Sequence, residues 1–218
     1  MTAATVLTLA AATGFVSGSL PFGYLAGKIR GIDIRDHGSG NIGATNVIRV
    51  LGKGIGVPVF ILDLLKGLLP CLFVRHWIGG LDHGPIITSI AVILTGLGAI
   101  FGHVFTPWLK FKGGKGVATA AGVLLGITPV AMAAALLVWL IFFFSTRYVS
   151  LASIAAAITV PLALAVQMQL TRQWDGPLLG FGILIGVLVV LRHRANIGRL
   201  IAGKEPKSGG RKTAPPAA

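Results

Sequence analysis

The feature that most constrains this chain is a series of long apolar stretches separated by short polar ones. Several of them approach the roughly 20 residues that an α-helix needs to cross the hydrocarbon core of a bilayer. Charged residues make up 11% of the 218 residues, and the mean hydropathy is +0.85. A soluble domain carries about 25% charged residues. Too little polar surface is available to face water, so we predict an all-α, polytopic membrane protein.

Seven apolar segments predict seven transmembrane helices. The segments cover roughly residues 4–25, 54–75, 86–105, 116–127, 129–146, 150–169 and 176–192. The fourth is short and ends near Thr128 and Pro129, which suggests a half-length helix or part of a broken one. We expect one membrane domain over residues 1–202 and a disordered cytoplasmic tail over residues 203–218, which are rich in Lys, Gly, Pro and Ala.

The basic residues indicate how these helices are oriented. With the N-terminus outside and the C-terminus inside, the inside loops hold sixteen Lys and Arg residues, and the outside loops hold only Arg75 and Arg172. Such an excess is typical of cytoplasmic loops. A six-helix alternative, with the fourth and fifth segments merged, would put Arg147 and the later loops on the wrong side. Residues 1–22 contain no Lys or Arg, which favours a retained first helix over a signal peptide.

The net charge of +13 has two explanations, nucleic-acid binding or membrane topology. The basic residues lie in loops between apolar runs, so we favour topology and contact with anionic lipid headgroups. We therefore expect membrane lipids as partners and no nucleic acid. The one cysteine, Cys71, lies inside an apolar run, which excludes an intrachain disulfide and disfavours a metal site built on it.

The first of three polar clusters runs from Gly38 to Arg49, has the sequence GSGNIGATNVIR and contains no acidic residue. Glycines such as Gly38 and Gly40 let successive backbone N–H groups point at one anion, and Arg49 adds a guanidinium fork suited to phosphate. Neutral side-chain donors come from four more residues, Ser39, Asn41, Thr45 and Asn46. The cluster predicts a phosphate-binding loop. The alternative is a flexible loop that caps the next helix.

The second cluster runs from Lys110 to Gly116, has the sequence KFKGGKG and opens the fourth apolar segment. A glycine-rich loop before a helix N-terminus binds anions, because free N–H groups and the positive end of the helix dipole converge there. Lys112 and Lys115 add positive charge. The spacing and hydroxyl of a nucleotide-binding P-loop are missing, which disfavours ATP hydrolysis. The alternative is a basic loop that only follows the positive-inside rule.

The third cluster runs from Arg192 to Arg199 and has the sequence RHRANIGR. His193 and Asn196 are three residues apart, so they share one face if the helix continues. Either these two residues have a functional role, or this is a basic helix end that anchors to lipid headgroups.

Three further ionisable residues lie in or beside apolar segments. Asp63 and Lys66 are three residues apart, and intramembrane charges are costly, so we favour a structural ion pair or a strut for the first loop. His103 ends the third segment, where it could bind phosphate, act as acid or base, or be a satisfied interfacial histidine. Together the three clusters predict a site for phosphorylated ligands at the cytoplasmic surface.

Six motifs of this chain are similar to those of a known family. They are SGSLPFGY at 17–24, GSGNIGATNV at 38–47, DLLKG at 63–67, GH at 102–103, KFKGGKGVAT at 110–119 and HRANIGRL at 193–200. On these residues the chain resembles the bacterial acyl-phosphate:glycerol-3-phosphate acyltransferases, the PlsY family, from about residue 14 to 205. The two glycine-rich motifs, in this order and spacing, make the resemblance specific.

The resemblance implies a seven-helix fold in the bacterial inner membrane, with the N-terminus outside, the C-terminus inside and the active site facing the cytoplasm. It implies transfer of a fatty acyl group from acyl phosphate to the 1-hydroxyl of glycerol 3-phosphate. Lysophosphatidic acid and phosphate are then the products, in the first acylation of phospholipid synthesis. We expect the enzyme that makes acyl phosphate to hand its product over. We expect no cofactor and no metal ion.

The resemblance also implies residue roles. The catalytic residues are expected to be Ser39, Arg49, Lys112, His193 and Asn196. Substrate and phosphate binding is expected of Gly38, Gly40, Asn41, Thr45, Asn46, His103, Gly113, Gly114, Lys115 and Gly116. Acyl phosphate is an activated anhydride, so direct attack by the glycerol hydroxyl is favoured over a covalent enzyme intermediate. A transporter of a small phosphorylated anion is the alternative, although the polar clusters all lie on one predicted face.

Overall fold

The computed structural model of the protein describes residues 1–81 and 83–209, and this part of the chain is all-helical, as predicted. Two 3-10 helices, Ile34–Asp36 and Pro107–Leu109, accompany the α-helices. The α-helices are α1 (Ala3–Ser19), α2 (Phe22–Ile29), α3 (Ala44–Leu51), α4 (Lys53–Gly79), α5 (Gly84–Val104), α6 (Val117–Ile127), α7 (Pro129–Thr146), α8 (Val149–Thr171), α9 (Gly176–Arg192) and α10 (Arg194–Ile201).

Five helical stretches in the described residues are long and apolar enough to cross a membrane: Ala3–Ile29, Lys53–Gly79, Gly84–Leu109, Pro129–Thr146 and Val149–Thr171. A sixth arises if α9 and α10, which are bent by 56° relative to each other, count as one span. The remaining apolar helix, α6, has 11 residues. At 1.5 Å per residue it covers only about half of the ~30 Å hydrocarbon core. The fourth segment is therefore short, as its sequence suggests, and the count of seven spans stays a prediction.

The chain forms two compact units, residues 1–127 and residues 128–209. The first unit is built on a close approach of α1 and α5. A Cβ added at Gly14 or Gly18 of α1 would collide with backbone atoms of α5, and one added at Gly98 or Gly102 would collide with backbone atoms of α1. Glycines at such a crossing let the two backbones touch, which is how helices gain packing energy in a bilayer.

This crossing gives a first testable prediction. Gly18→Leu is expected to destabilise the first unit by more than about 2 kcal/mol, because the new side chain has no space against α5. The matched control is Gly180→Ala in α9, where nothing lies within 4 Å of an added Cβ. Thermal unfolding of both purified variants in the same detergent measures the difference. Equal melting temperatures for the two variants would contradict the close crossing.

The second unit contains α7, α8, α9 and α10. Helices α7 and α8 form a hairpin, in which the indole N–H of Trp139 donates to Oγ of Ser153 at 3.3 Å. Helix α9 packs on α8, with Gly182 lying close to the side chain of Leu164. After α10, the backbone N–H of Ser208 donates to the carbonyl of Arg147 at 2.8 Å, so the chain returns to the end of the α7–α8 hairpin.

Residues 203–209 differ from the disordered tail that their composition suggests. Glu205 is only 9% exposed and takes part in several hydrogen bonds, and Ser208 is bonded to the hairpin end. A segment of this composition becomes ordered when specific contacts outweigh its lost conformational entropy. Residues 210–218 of the predicted tail lie outside the described residues, and the predicted boundary of the membrane domain at residue 202 stays a prediction.

Candidate active site

Residues 38–49, called the loop 38–49, comprise an irregular segment over 38–43 and the first turns of α3. They are organised around the buried amide of Asn46, which is 1% exposed. Its Oδ1 accepts the backbone N–H of Ser39 at 2.8 Å. Its Nδ2 donates to the carbonyls of His37 at 3.0 Å and Ile34 at 3.3 Å. Gly38 has φ +62°, and a Cβ there would collide with Oδ1 of Asn46. The amide of Asn46 therefore shapes the loop from inside, whereas the sequence predicts that it binds phosphate directly.

The other residues of this loop surround the N-terminus of α3. Oδ1 of Asn41 accepts the backbone N–H of Gly43 at 2.8 Å, which forms the turn that leads into the helix. The side chains of Ser39 and Thr45 are exposed. Arg49 lies one helical turn after Asn46 and directs its Nη1 to Oδ1 of Asn46 at 3.4 Å. The loop thus presents hydroxyls and a guanidinium on a framework fixed by two asparagines.

The second polar cluster turns back onto the end of α5. The backbone N–H of Gly113 donates to the carbonyl of Val104, and that of Gly114 donates to the carbonyl of His103, each at 3.1 Å. A Cβ at Gly113 would collide with the His103 and Val104 carbonyls, and one at Gly114 with the imidazole of His103. The turn lies so close to the end of α5 that neither position has room for a side chain, so glycine is required at both. Helix α6 then begins at Val117.

The charged side chains of the second cluster differ in exposure. Lys112 is exposed, whereas Lys115 is half-buried beside the buried Gly114. His103 is 4% exposed and lies beneath the turn. The structure therefore places Lys112 where a ligand in water can reach it, and it places His103 as a support for the turn.

Two acidic residues of the first unit, Asp33 and Asp63, form ion pairs outside these two loops. Asp33 binds Arg35 through a 2.6 Å ion pair and lies 3.7 Å from Nζ of Lys28. Hydrogen bonds from Arg35 hold the pKa of Asp33 well below its ordinary value, so this carboxylate stays ionised. Asp63 is paired with Lys66 at 2.7 Å. The loops 38–49 and 110–116 contain no acidic residue and carry a positive charge suited to an anion.

The third polar cluster lies in the second unit, where α9 meets α10. His193 is 3% exposed, and its Nδ1 lies 2.8 Å from the carbonyl of Val189. Asn196 is 6% exposed, and its Nδ2 donates to Oε1 of Glu205 at 2.6 Å. Both side chains are held by partners from their own unit.

Glu205 is a residue of this cluster that the sequence analysis missed. Its Oε1 accepts hydrogen bonds from Asn196 and from Oγ of Ser150 at 2.7 Å, and its Oε2 accepts one from Nε of Arg199 at 2.7 Å. Burial alone would raise the pKa of Glu205, but the hydrogen bonds from Asn196, Ser150 and Arg199 outweigh it and lower the pKa. Glu205 is the one acidic residue after Asp175 in the sequence. Its isolation among basic residues is the sequence feature that could have identified it.

The lowered pKa of Glu205 gives a prediction with a definite sign. The ionised side chain stabilises the fold when the pH is above 4.5, which is the ordinary pKa of this group. This contribution is lost as the pH falls through the lower pKa that Glu205 has in the folded protein. Glu205→Gln keeps the shape without the charge and should lower stability at pH 7 by roughly 1–3 kcal/mol. Melting temperatures measured from pH 7 to pH 3 should converge for the two proteins at the acid end. A constant difference across that range would contradict the assignment.

Both the sequence and the fold of this chain are similar to those of known proteins. The sequence profile of the glycerol-3-phosphate acyltransferase family matches residues 8–203. A glycerol-3-phosphate acyltransferase of Geotalea daltonii is 46% identical over 205 residues, which cover 94% of this chain and 97% of that protein. One of Aquifex aeolicus is 44% identical over 191 residues, covering 88% and 93%. The chain belongs to the glycerol-3-phosphate acyltransferase family. The resemblance stated from the sequence motifs is confirmed.

Two solved structures extend the likeness to the fold. They are crystal structures of PlsY, an integral membrane glycerol 3-phosphate acyltransferase, in its glycerol 3-phosphate form and its lysophosphatidic acid form. The first has a TM-score of 0.80 at 41% identity and covers 95% of this chain and 96% of its own. The second has a TM-score of 0.79 at 40% identity. Together with its apolar helices, this likeness makes the chain a multi-pass membrane acyltransferase.

Proposed function

We propose that this protein transfers a fatty acyl group from acyl phosphate to the 1-hydroxyl of glycerol 3-phosphate, which forms lysophosphatidic acid and phosphate. The family membership carries this proposal, since the relatives are named for acyl transfer to glycerol 3-phosphate. The related PlsY crystal structures are described as its glycerol 3-phosphate and lysophosphatidic acid forms, a substrate and a product of that reaction. An anion transporter is not favoured.

The proposed step needs no covalent enzyme intermediate. The 1-hydroxyl oxygen attacks the acyl carbonyl carbon, the bond from that carbon to the phosphate oxygen breaks, and inorganic phosphate leaves. The hydroxyl proton passes to a phosphate oxygen, since the second pKa of a phosphate monoester is about 6. Residues 38–49 contain no Asp, Glu or His that could act as a general base for the Ser39 hydroxyl. This also supports direct attack by the glycerol hydroxyl.

The two positively charged loops of the first unit are proposed to supply the charge that stabilises the phosphate groups of the substrates. Arg49 and Lys112 are proposed to neutralise the phosphates and to stabilise the leaving phosphate as negative charge develops on it. Gly38, Gly40, Gly113, Gly114 and Gly116 allow the close backbone approach that an anion needs, and Ser39, Asn41, Thr45 and Lys115 add donors. Holding both substrates in reach of each other supplies much of the remaining rate gain. His193 and Asn196 stay proposed as catalytic residues on the basis of the family resemblance.

The proposed setting is the inner membrane of a bacterium, with seven spans, the N-terminus outside and the loops on the cytoplasmic side. The distribution of basic residues supports this orientation. The acyl chain is proposed to lie between helices and to open toward the bilayer, and the enzyme that makes acyl phosphate hands over its product. No group of three or more His, Cys, Asp or Glu residues in the described part of the chain is placed to hold a metal ion, and neither metal nor cofactor is proposed.

An acyl-transfer assay with two donors tests this function. Purified protein in detergent or lipid mesophase receives labelled glycerol 3-phosphate with palmitoyl phosphate, and a parallel reaction receives palmitoyl-CoA. We expect labelled lysophosphatidate from palmitoyl phosphate alone. Product from palmitoyl-CoA alone would overturn the donor assignment. No product from either donor, with the protein shown to be folded, would overturn the acyl-transfer proposal.

A further inference from the structure

Three buried ionisable side chains meet inside the first unit. Asp63 and Lys66 lie on α4, and His103 lies at the end of α5; they are 2%, 5% and 4% exposed. Nζ of Lys66 is 2.7 Å from Oδ1 of Asp63, and Nδ1 of His103 is 3.7 Å from the same oxygen. Such charges are expensive inside a membrane protein and mark a functional role by default. An ion pair on one helix does not by itself explain the histidine from another helix.

His103 connects this cluster to the glycine-rich turn at 110–116. Its carbonyl accepts the N–H of Gly114, and its imidazole fills the space where a Cβ of Gly114 would lie. The neighbouring carbonyl of Val104 accepts the N–H of Gly113. Asp63 therefore faces one side of the imidazole, and the turn packs against the ring. A rotation of the ring would displace the turn, because a packed interior leaves little room for adjustment.

Lys66 connects the same cluster to the break between α1 and α2. Its Nζ donates to the carbonyl of Leu20 at 2.7 Å, and Pro21, the next residue, directly precedes α2. The adjacent carbonyl of Ser19 accepts the Thr106 hydroxyl at 2.6 Å. These bonds satisfy two carbonyls at the C-terminal end of α1, where the helix itself supplies no partner. They fix the direction in which α2 leaves the break.

Helix α2 passes that direction on to the first polar loop. Gly23 of α2 lies so close to the carbonyl of Ile42 that a Cβ there would collide with it. Asp63, at the centre of the cluster, is thus linked through Lys66 and α2 to the loop 38–49 and through His103 to the turn 110–116. Both loops that we propose to bind phosphate are therefore connected, through other residues, to the buried carboxylate of Asp63.

We propose that Asp63, Lys66 and His103 form a positioning network that holds the loops 38–49 and 110–116 at the spacing needed for phosphate binding. None of the three touches substrate; each acts through the backbone that it supports. The inference rests on the proposed function, and it assigns to His103 a role beneath the turn instead of one as a direct ligand. A purely structural ion pair predicts loss of folded protein alone, whereas positioning predicts a kinetic defect in folded protein.

Steady-state kinetics of His103→Leu and His103→Gln test the network. The reference variant is Lys112→Ala, which identifies the phosphorylated substrate whose KM depends on the turn. We expect His103→Leu to raise the KM of that same substrate about tenfold, with a smaller change in kcat, and His103→Gln to recover part of the loss. Thr95→Val is the matched control, because Thr95 is a buried polar residue of α5 whose hydroxyl bonds only to Ala91 within its own helix in the contacts described. An unchanged KM in folded His103→Leu would overturn the proposal.

A double-mutant cycle tests the link to Asp63. If the residues act as one network, Asp63→Asn and His103→Leu combined should raise KM little more than the larger single change. The neutral pair Asp63→Asn with Lys66→Gln avoids leaving an unpaired buried charge and should show the same KM defect. Fully additive effects would overturn the network. Inorganic phosphate is the second probe: it should raise the melting temperature of the unaltered protein and of Thr95→Val, but not that of His103→Leu.

The outcomes also separate this inference from the proposed function. An unaltered protein that makes no lysophosphatidate overturns acyl transfer, and the melting-temperature response to inorganic phosphate then still decides the network. An active protein whose His103→Leu variant has the kinetics and the phosphate response of Thr95→Val overturns the network alone.

Discussion

Arg49→Ala is expected to lower kcat/KM for acyl transfer about 100-fold, the size of effect that follows loss of one preorganised donor to a developing anion. Arg49 lies on α3, one turn after Asn46, whose Oδ1 holds its Nη1 at 3.4 Å. The guanidinium is therefore directed before substrate arrives, and its planar fork matches two phosphate oxygens. Since α3 keeps its packing, the free energy of unfolding should change by less than about 1 kcal/mol.

Two further variants sharpen this test. Arg49→Lys keeps the positive charge and loses the bidentate fork, so its kcat/KM should fall between those of the unaltered protein and Arg49→Ala. Arg30→Ala removes an exposed arginine that follows α2 and should leave the kinetics unchanged. Normal kinetics in folded Arg49→Ala would exclude the phosphate role of Arg49. Equal losses in Arg49→Lys and Arg49→Ala would show that the fork, and not the charge, carries the effect.

The helical architecture was predictable because it depends on local composition. Apolar runs of sufficient length form helices in a bilayer whatever their neighbours are, since the backbone must satisfy its own hydrogen bonds there. The predicted run 54–75 corresponds to α4 over Lys53–Gly79, and the short fourth run corresponds to α6 over Val117–Ile127. Sequence alone did not reveal the break of the first segment at Pro21, because both halves are apolar.

The glycine-rich turn was also predictable as a special backbone, although its purpose needed the structure. Glycines beside lysines before a helix indicate an anion site. The structure adds that Gly113 and Gly114 are required by contact with the end of α5, whether or not a ligand binds there. Which groups a glycine approaches depends on tertiary packing, and the spacing within a motif carries no record of it.

Glu205 was missed for a different physical reason. It lies in a stretch of Lys, Gly and Pro whose composition is typical of disorder. Its partner Ser150 is 55 residues earlier in the chain, and an isolated acidic side chain gives no local pattern. A single carboxylate in a strongly basic segment nevertheless has many possible cationic and polar partners, and that feature marks it as a residue to test.

Asn46→Leu is expected to abolish measurable acyl transfer, with a loss of more than 100-fold, and to destabilise the first unit by roughly 2–4 kcal/mol. Leucine has the same number and branching of side-chain heavy atoms but leaves the N–H of Ser39 and the carbonyls of Ile34 and His37 without the amide that they bond. Each buried polar group left unsatisfied costs about 1–3 kcal/mol. The loop would then lose the shape that directs Ser39 and Arg49. Kinetics and thermal unfolding of the same preparation measure both effects.

This result separates two roles for Asn46. If its amide binds phosphate, as the sequence predicts, Asn46→Leu should raise the KM of one substrate and leave the melting temperature unchanged. If it organises the loop, as its burial and hydrogen bonds indicate, activity and stability should fall together. Asn46→Asp keeps the acceptor that bonds Ser39 and replaces the donor to His37 with a second oxygen, so it should lose stability without restoring activity. A substrate-specific KM effect at unchanged melting temperature would return Asn46 to the set of phosphate ligands.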